Sequence, residues 1–342
     1  MTGKVGFLYQ WHSANARGLE QEFQYMRDRG FQIEGVPLTN ILQYKYSVSD
    51  LDFMYCARDP GVMSGLDRLA DICGRYSTVV IYGTLQIPPD FIRTRLADKV
   101  TIYWATDDPV NSTVATLPYI NVAQHMFSQS PRYLDGMPMA DWLRAMGARS
   151  ARFVPLGYLQ DWMRGRSPEE TLQSRRDIPV SFVGSPSWRK HMLLKAKRHF
   201  GRKLQIYSRD WPASRHFAYD VLKGGVIHIV RNAKDESEIY FRSRISINSN
   251  ACSGPSTSRT FHIPVCGALQ ACDFPVGLAD IFDVPRQVLP YEYINADSLC
   301  SVIDSALSND RLFEQMRVEG FWHVLKNYRF GDLFRRKLEE VL

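Results

Sequence analysis

No stretch of this sequence stays apolar for anything near the ~18 residues that a bilayer-spanning helix requires. The opening MTGKVGFLYQWH runs straight into a strand and has neither the apolar core nor the small-residue cleavage site of a secretory leader. A membrane would be met only at its surface. Cysteine is scarce: six residues among 342, at 56, 73, 252, 266, 272 and 300, with no Cys-x-x-Cys pair and no histidine cluster at ligand spacing. That pattern argues against a zinc site and against a disulfide framework. Reduced, buried thiols in a cytoplasmic protein are the simple reading. No repeat of solenoid length is present. Charge of one sign is also not in large excess. There are 42 Lys and Arg against 36 Asp and Glu, a formal net charge of +6, which suits the handling of phosphate groups without requiring nucleic acid. The densest basic cluster, Arg189 to Lys203, reads first as the solvated face of a helix.

What is present is an alternation of short apolar runs with longer helical patterns, which predicts parallel sheets covered by helices. Strands are expected at Val5 to Tyr9, Phe31 to Val36, Thr78 to Tyr82, Val100 to Ala105, Ala123 to Ser128 and Arg152 to Pro155. The rhythm breaks between Gly157 and Asp177, where charge is dense and no apolar period is sustained. It restarts at Val180 with VSFVGSPSWRK. The expected class is therefore α/β, with two doubly wound Rossmann-like domains facing across a cleft. Their limits are an N-terminal domain over 1–156, a linker over 157–178, a C-terminal domain over 179–325, and a final helix over 326–342 that packs back toward the first domain. In open α/β sheets ligands sit at the carboxyl ends of the strands, so the facing ends are the default site.

The most informative segment is Ser253 to Phe282. Gly254 and Pro255 make a turn, and Ser256, Thr257 and Ser258 then offer hydroxyls and unpaired N–H groups at a helix start. Such a start attracts anions, because the first amides lack partners and the helix dipole favours negative charge. Arg259 adds a charged donor. Plain N-capping by Ser256 or Ser258 is the competing reading. Gly184 and Ser185 follow one strand and precede a helix, which suits either close approach to a phosphate or a tight turn. Arg189 lies one turn further on. Tyr207 and Trp211 follow the next strand and suit stacking on a base, or core packing. In the first half His12 follows the first strand, where a near-neutral imidazole suits proton abstraction. Asp107 and Asp108 end another strand. Either is a candidate base or acceptor-orienting group, against turn capping before Pro109, and adjacent residues of an extended chain cannot both face one side.

This second half resembles the CgeB-like glycosyltransferases, a group of GT-B fold. The resemblance rests on Arg259, Phe261, Cys266, Gly267, Ala268, Leu269, Gln270, Asp273, Leu278 and Phe282 in order and spacing. It also rests on Gly184, Arg189 and Trp211 and on the closing helices. It is thinner before Val180, where YWATDDP and FVPLGY carry it. The resemblance implies a nucleotide-sugar donor bound on the C-terminal domain at Gly184, Ser185, Arg189, Tyr207, Trp211, Ser256, Thr257, Ser258, Arg259 and His262. There is one departure: His262 stands where the family has a Glu that takes the ribose hydroxyls. A His still bonds a hydroxyl; it equally suits a donor phosphate, an unusual nucleotide or a chain that has lost activity.

The expected function is transfer of a sugar from a nucleotide-diphosphate donor to an acceptor that is a glycan, a small molecule, a protein or modified DNA. His12, Asp107 or Asp108 would act on the acceptor. No cofactor beyond the donor is expected, and no metal. The alternatives are a glycosyltransferase acting on a modified base in DNA, and a binding protein on a decayed transferase fold.

Overall fold

A computed structural model describes residues 3–10, 16–42, 48–83, 87–106, 108–109, 111–185, 189–208, 227–228, 233–250, 257–273 and 275–342. The chain forms two compact units. The first comprises Met1–Pro155 with Gly331–Leu342, the second Leu156–Phe330.

The first unit is built on strands β1 (Val5–Tyr9), β2 (Ile33–Pro37), β3 (Thr78–Tyr82), β4 (Val100–Ala105), β5 (His125–Ser128) and β6 (Ala151–Phe153). They form one parallel sheet in the order β2-β1-β3-β4-β5-β6. Near-continuous apolar runs such as TVVIY are what a sheet covered on both faces requires. Helix α1 (Ala16–Arg27) sets Phe23 against Phe7, with ring centroids 5.1 Å apart. A helix that the apolar rhythm did not mark, α2 (Val48–Cys56), follows β2. Helix α3 (Pro60–Cys73) buries Val62, Leu66, Leu69 and Cys73. It starts where Asp59 accepts the Val62 N–H at 3.0 Å and Pro60 occupies the first turn. Helices α4 (Pro89–Arg95) and α5 (Met139–Ala145) complete this part.

The second unit holds helix α6 (Pro168–Gln173), then β7 (Ile178–Val183), helix α7 (Lys190–Phe200), β8 (Leu204–Tyr207), β9 (Ile227–His228), helix α8 (Ala233–Arg242) and β10 (Ser243–Asn248). Helix α9 (Ser258–Val265), β11 (Leu269–Asp273), α10 (Pro275–Leu278), β12 (Leu289–Tyr291), α11 (Ala296–Ser308) and α12 (Asp310–Asn327) follow. Its sheet is also parallel, in the order β12-β11-β10-β7-β8-β9. The chain starts in the middle at β7, works outward to β9, then returns to β10 on the other side. The topological switch point therefore lies between β7 and β10. Leu193 and Ala196 of α7 and Leu299 and Ile303 of α11 share one core with Val180, Ile206 and Ile247 of the sheet.

Residues 157–178 do not form a linker; they fold with the second unit. Trp162 is buried against Tyr240 and His262. Ser167 and Glu170 make a reciprocal capping box at the start of α6. Arg176 donates to the carbonyls of Phe241 and Ser243, closing the end of α8, and to that of Thr171. The charge that suggested a linker is spent on these contacts.

The last helix, α13 (Phe330–Glu339), lies in the first unit from Gly331 onward. Phe334 stacks on Trp104 (5.1 Å, 18°) and meets Phe7 edge-on at 5.2 Å. Tyr25 donates its hydroxyl to Asp332 at 3.0 Å, and Glu22 accepts the Gly331 N–H at 3.1 Å. Of the cysteines, Cys73, Cys266, Cys272 and Cys300 are buried and free, but Cys56 is exposed. Cys252 lies outside the described residues. Among the described residues no helix is long and apolar enough to cross a membrane.

Candidate active site

In a doubly wound sheet the crevice at the switch point is where strands diverge and backbone amides face outward. In the second unit that crevice opens at the carboxyl ends of β7 and β10, and Arg259 spans it. Its Nη1 donates to the carbonyl of Val183 at the end of β7, at 2.9 Å. Its Nη2 donates to the carbonyl of Ser249, just beyond β10, at 3.2 Å. Gly184 makes this approach possible. A Cβ at 184 would lie 2.6 Å from Arg259 Nη1, and its φ of +148° is one that side-chain-bearing residues rarely adopt. The Gly184 N–H is bound to the carbonyl of Tyr207 at 3.0 Å, which pins the turn to β8.

Arg189 sits at the start of α7, only 3% exposed, with its guanidinium 5.8 Å from the Phe182 ring. Burial, helped by the positive charge of Arg259 and opposed by Asp273, lowers its pKa to about 10. The positive charges of Arg189 and Arg259 are thus close enough to act on each other. Helix α9 starts beside them. Thr257 is its N-cap residue and makes no side-chain capping bond; its hydroxyl donates to Asn250 Oδ1 at 3.1 Å instead. Ser258 and Arg259 form the first turn. Gly184 and Arg259 therefore meet at the carboxyl ends of β7 and β10, with Thr257 and Ser258 at the start of the same helix as Arg259 and Arg189 near enough to feel its charge. Ser185 follows directly and is exposed.

Two other expected donor residues sit differently. Tyr207 is half-buried at the end of β8, bonds Gln205 through its hydroxyl, and stacks on His228 at 4.8 Å. His262 lies in the interior, 1% exposed, with its ring stacked on Trp162 at 3.8 Å and 13°. Neither ring nitrogen has a hydrogen-bond partner. Burial alone pushes its pKa down to about 3, so it is neutral at any working pH. A ribose hydroxyl is not reached by this buried ring. Ser256 and Trp211 lie outside the described residues.

In the first unit His12 and Asp107 lie outside the described residues. Asp108 is described, and the reading of it as a free base gives way to an anchoring role. Its carboxylate is 2% exposed and accepts hydroxyls from Ser112 (2.8 Å), Thr116 (2.6 Å) and Ser128 (2.7 Å). Three short bonds to one carboxylate side chain hold the turn after β4 against β5. Among the described residues no group of three His, Cys, Asp or Glu side chains is placed to hold a metal.

Sequence reasoning passed over several residues that shape the second-unit edge. Trp162 was hidden in the supposed linker. Ser249 and Asn250 carry no motif of their own, and only the sheet order brings them to the switch point.

With this geometry in view, the family comparison is informative. Residues 187–336 match the family model described as Glycosyl transferase-like. That segment is a glycosyltransferase domain. It covers nearly all of the switch-point edge, including Arg189, Arg259 and α9. No curated protein matches the chain by sequence. Among solved structures, HepE from Anabaena in complex with UDP and glucose aligns at a TM-score of 0.67 with 10% identity, covering 99% of each chain. Sucrose-phosphate synthase from Thermosynechococcus elongatus aligns at 0.69 with 12% identity, over 99% of this chain and 100% of that one. An α-glucosyltransferase in complex with UDP-glucose and DNA containing an abasic site aligns at 0.66 with 8% identity over the full length of both. Likeness at these identities concerns the fold, which is the GT-B glycosyltransferase fold with two Rossmann-like halves.

Proposed function

We propose that this glycosyltransferase takes its sugar from a UDP-sugar, whose diphosphate lies at the β7–β10 switch point of the second unit. The observation that carries the reading is Arg259 bridging the two strand ends across Gly184, with buried Arg189 beside it. Two guanidinium groups held close in a half-buried crevice repel each other, and an anion between them relieves that repulsion. The first amides of α9 add a dipole of the same sense. UDP is the nucleotide named with HepE and with the DNA-bound α-glucosyltransferase, which supports it as donor over other nucleotides. Within the GT-B enzymes the resemblance of α9 and β11 to the CgeB-like group, with His262 as its departure, supports a reading of the chain as a relative of that group.

Catalysis follows from charge. As the bond between sugar and diphosphate breaks, negative charge grows on the leaving phosphate. Arg189, Arg259 and the α9 amides are already oriented toward it, so they stabilise the transition state without reorganising. This arrangement supplies by guanidinium and amide what a divalent cation supplies elsewhere, so the reaction runs without metal.

A thermal-shift screen with UDP, GDP, dTDP and CMP tests the donor. Ligand at about 100 times its Kd stabilises the native state by about 2.7 kcal/mol. UDP is expected to give the largest shift, and Arg259→Lys, which cannot span two carbonyls and a phosphate, is expected to lose it. No shift with any nucleotide would overturn the reading.

A further inference from the structure

The anion site depends on where Ser249 and the start of α9 sit, and one side chain fixes both. Asp273 ends β11 and is fully buried. Its carboxylate accepts the Ser249 hydroxyl at 3.0 Å, the Asn250 backbone N–H at 3.0 Å and the Asn250 side-chain amide at 2.8 Å. Ser249 in turn offers its carbonyl to Arg259. Asn250 offers Oδ1 to the hydroxyl of Thr257, the N-cap residue of α9. A relay of hydrogen bonds therefore runs from Asp273 to both halves of the proposed phosphate site.

We infer that Asp273 is a positioning residue for the donor diphosphate, acting through Ser249 and Asn250 on Arg259 and on the first turn of α9. The inference rests on the reading of the switch point as the diphosphate site. The chemistry explains why a carboxylate stands here. Three donors converge on one side chain, and the two oxygens of an ionised Asp accept from all of them without a proton of their own to place. The charged and titratable groups around it are Arg259 in α9, Arg189 at the start of α7, Tyr291 in β12 and Cys272 in its own strand. Burial raises its pKa to about 6, against the pull of Asn250, Ser249 and Arg259. At pH 7.5 it is ionised, and it offsets part of the charge of the two arginines when no anion is bound.

A role confined to the phosphates has a signature that general loosening lacks: UDP binding weakens while uridine binding does not. Calorimetric titrations of the full-length protein with UDP and with uridine separate the two. Asp273→Ala is expected to weaken UDP at least tenfold and to leave uridine within about twofold. Asp273→Asn is expected to recover most of the loss, because its Oδ1 still accepts the Asn250 amide while the Ser249 hydroxyl turns to accept from its NH2. Thr257→Val cuts only the last link of the relay and is expected to weaken UDP severalfold with uridine unchanged. If Asp273→Ala does not fold, Thr257→Val decides. A wild-type protein that binds no UDP defeats the donor reading itself. Wild-type binding of UDP with an unchanged ratio of UDP to uridine affinity in both variants leaves the donor reading standing and overturns the role of Asp273.

Discussion

His262 offers a direct test of the buried chemistry next to the site. Its ring is stacked on Trp162, closed off from solvent, and both nitrogens lack partners. Replacing it by Phe keeps a flat ring on Trp162 and removes both unpaired polar atoms. An unsatisfied buried polar group costs about 1–3 kcal/mol. The extra ring atom of Phe costs a similar amount by overpacking, about 1–3 kcal/mol. At neutral pH the two nearly cancel, and the variant is expected to lie within about 1 kcal/mol of the wild type. Acid separates them. The native imidazole has its pKa lowered from 6.5 to about 3 by burial, so between those values the unfolded chain binds a proton that the folded chain does not. Stability then falls as pH drops through that window, by about 1.4 kcal/mol for each pH unit below 6.5. At pH 5 this amounts to about 2 kcal/mol, and Phe has no such dependence. Urea unfolding of both proteins at about pH 7.5 and pH 5, followed by circular dichroism, reads the difference from the midpoints. The wild type is expected to lose about 2 kcal/mol more than His262→Phe on going to pH 5. Equal losses would show that the imidazole is protonated in the native state, and the account of a dry, unpartnered ring would fail.

Four further outcomes follow from the same structure. His262→Glu, which introduces the residue of the CgeB-like family, would bury a carboxylate where burial is the sole influence on the present ring; a loss of several kcal/mol or a carboxyl pKa raised above 7 is expected from urea unfolding across pH. Gly184→Ala drives a methyl group into Arg259 Nη1 and is expected to weaken UDP at least tenfold, with a stability cost of about 1–3 kcal/mol, measured by calorimetry and by urea. Asp108→Ala removes the shared acceptor of the Ser112, Thr116 and Ser128 hydroxyls, of which Ser112 keeps the Pro109 carbonyl, and is expected to cost about 1–3 kcal/mol in the first unit's unfolding transition. Donor hydrolysis or transfer measured with and without EDTA is expected to proceed at the same rate under the proposal that guanidinium groups and amides carry the leaving-group charge; a loss of rate with EDTA would overturn that proposal.

Several elements were legible before any coordinates. Val5–Tyr9, Thr78–Tyr82 and Val100–Ala105 stand where the apolar runs place them, because a strand buried on both faces is largely apolar along its length. The start of α9 was legible from its hydroxyl-rich turn, although it opens at Ser258 rather than Ser256. The stretch over 157–178 misled because Arg166, Arg175 and Arg176 look solvated in one dimension, while Arg176 is in fact drawn inside to cap the end of α8. The SPEE sequence at 167–170 was the available signal for α6. Asp108 shows the limit in the other direction. A sequence shows a carboxylate at a strand end; it does not show three hydroxyls arriving from residues 112, 116 and 128 to occupy it. The inward turn of His262 has the same origin, since Trp162 lies a hundred positions earlier in the chain.

The first unit is assembled from two segments far apart in the sequence, 1–155 and 331–342. During synthesis residues 1–155 leave the ribosome well before Phe334, so the flat face of Trp104 and the edge of Phe7 wait for their partner until that later segment arrives. The later-made second unit is complete first. A nascent chain stalled or clipped near residue 330 would present a finished second unit joined to a first unit with an open aromatic wound, a ready target for quality control.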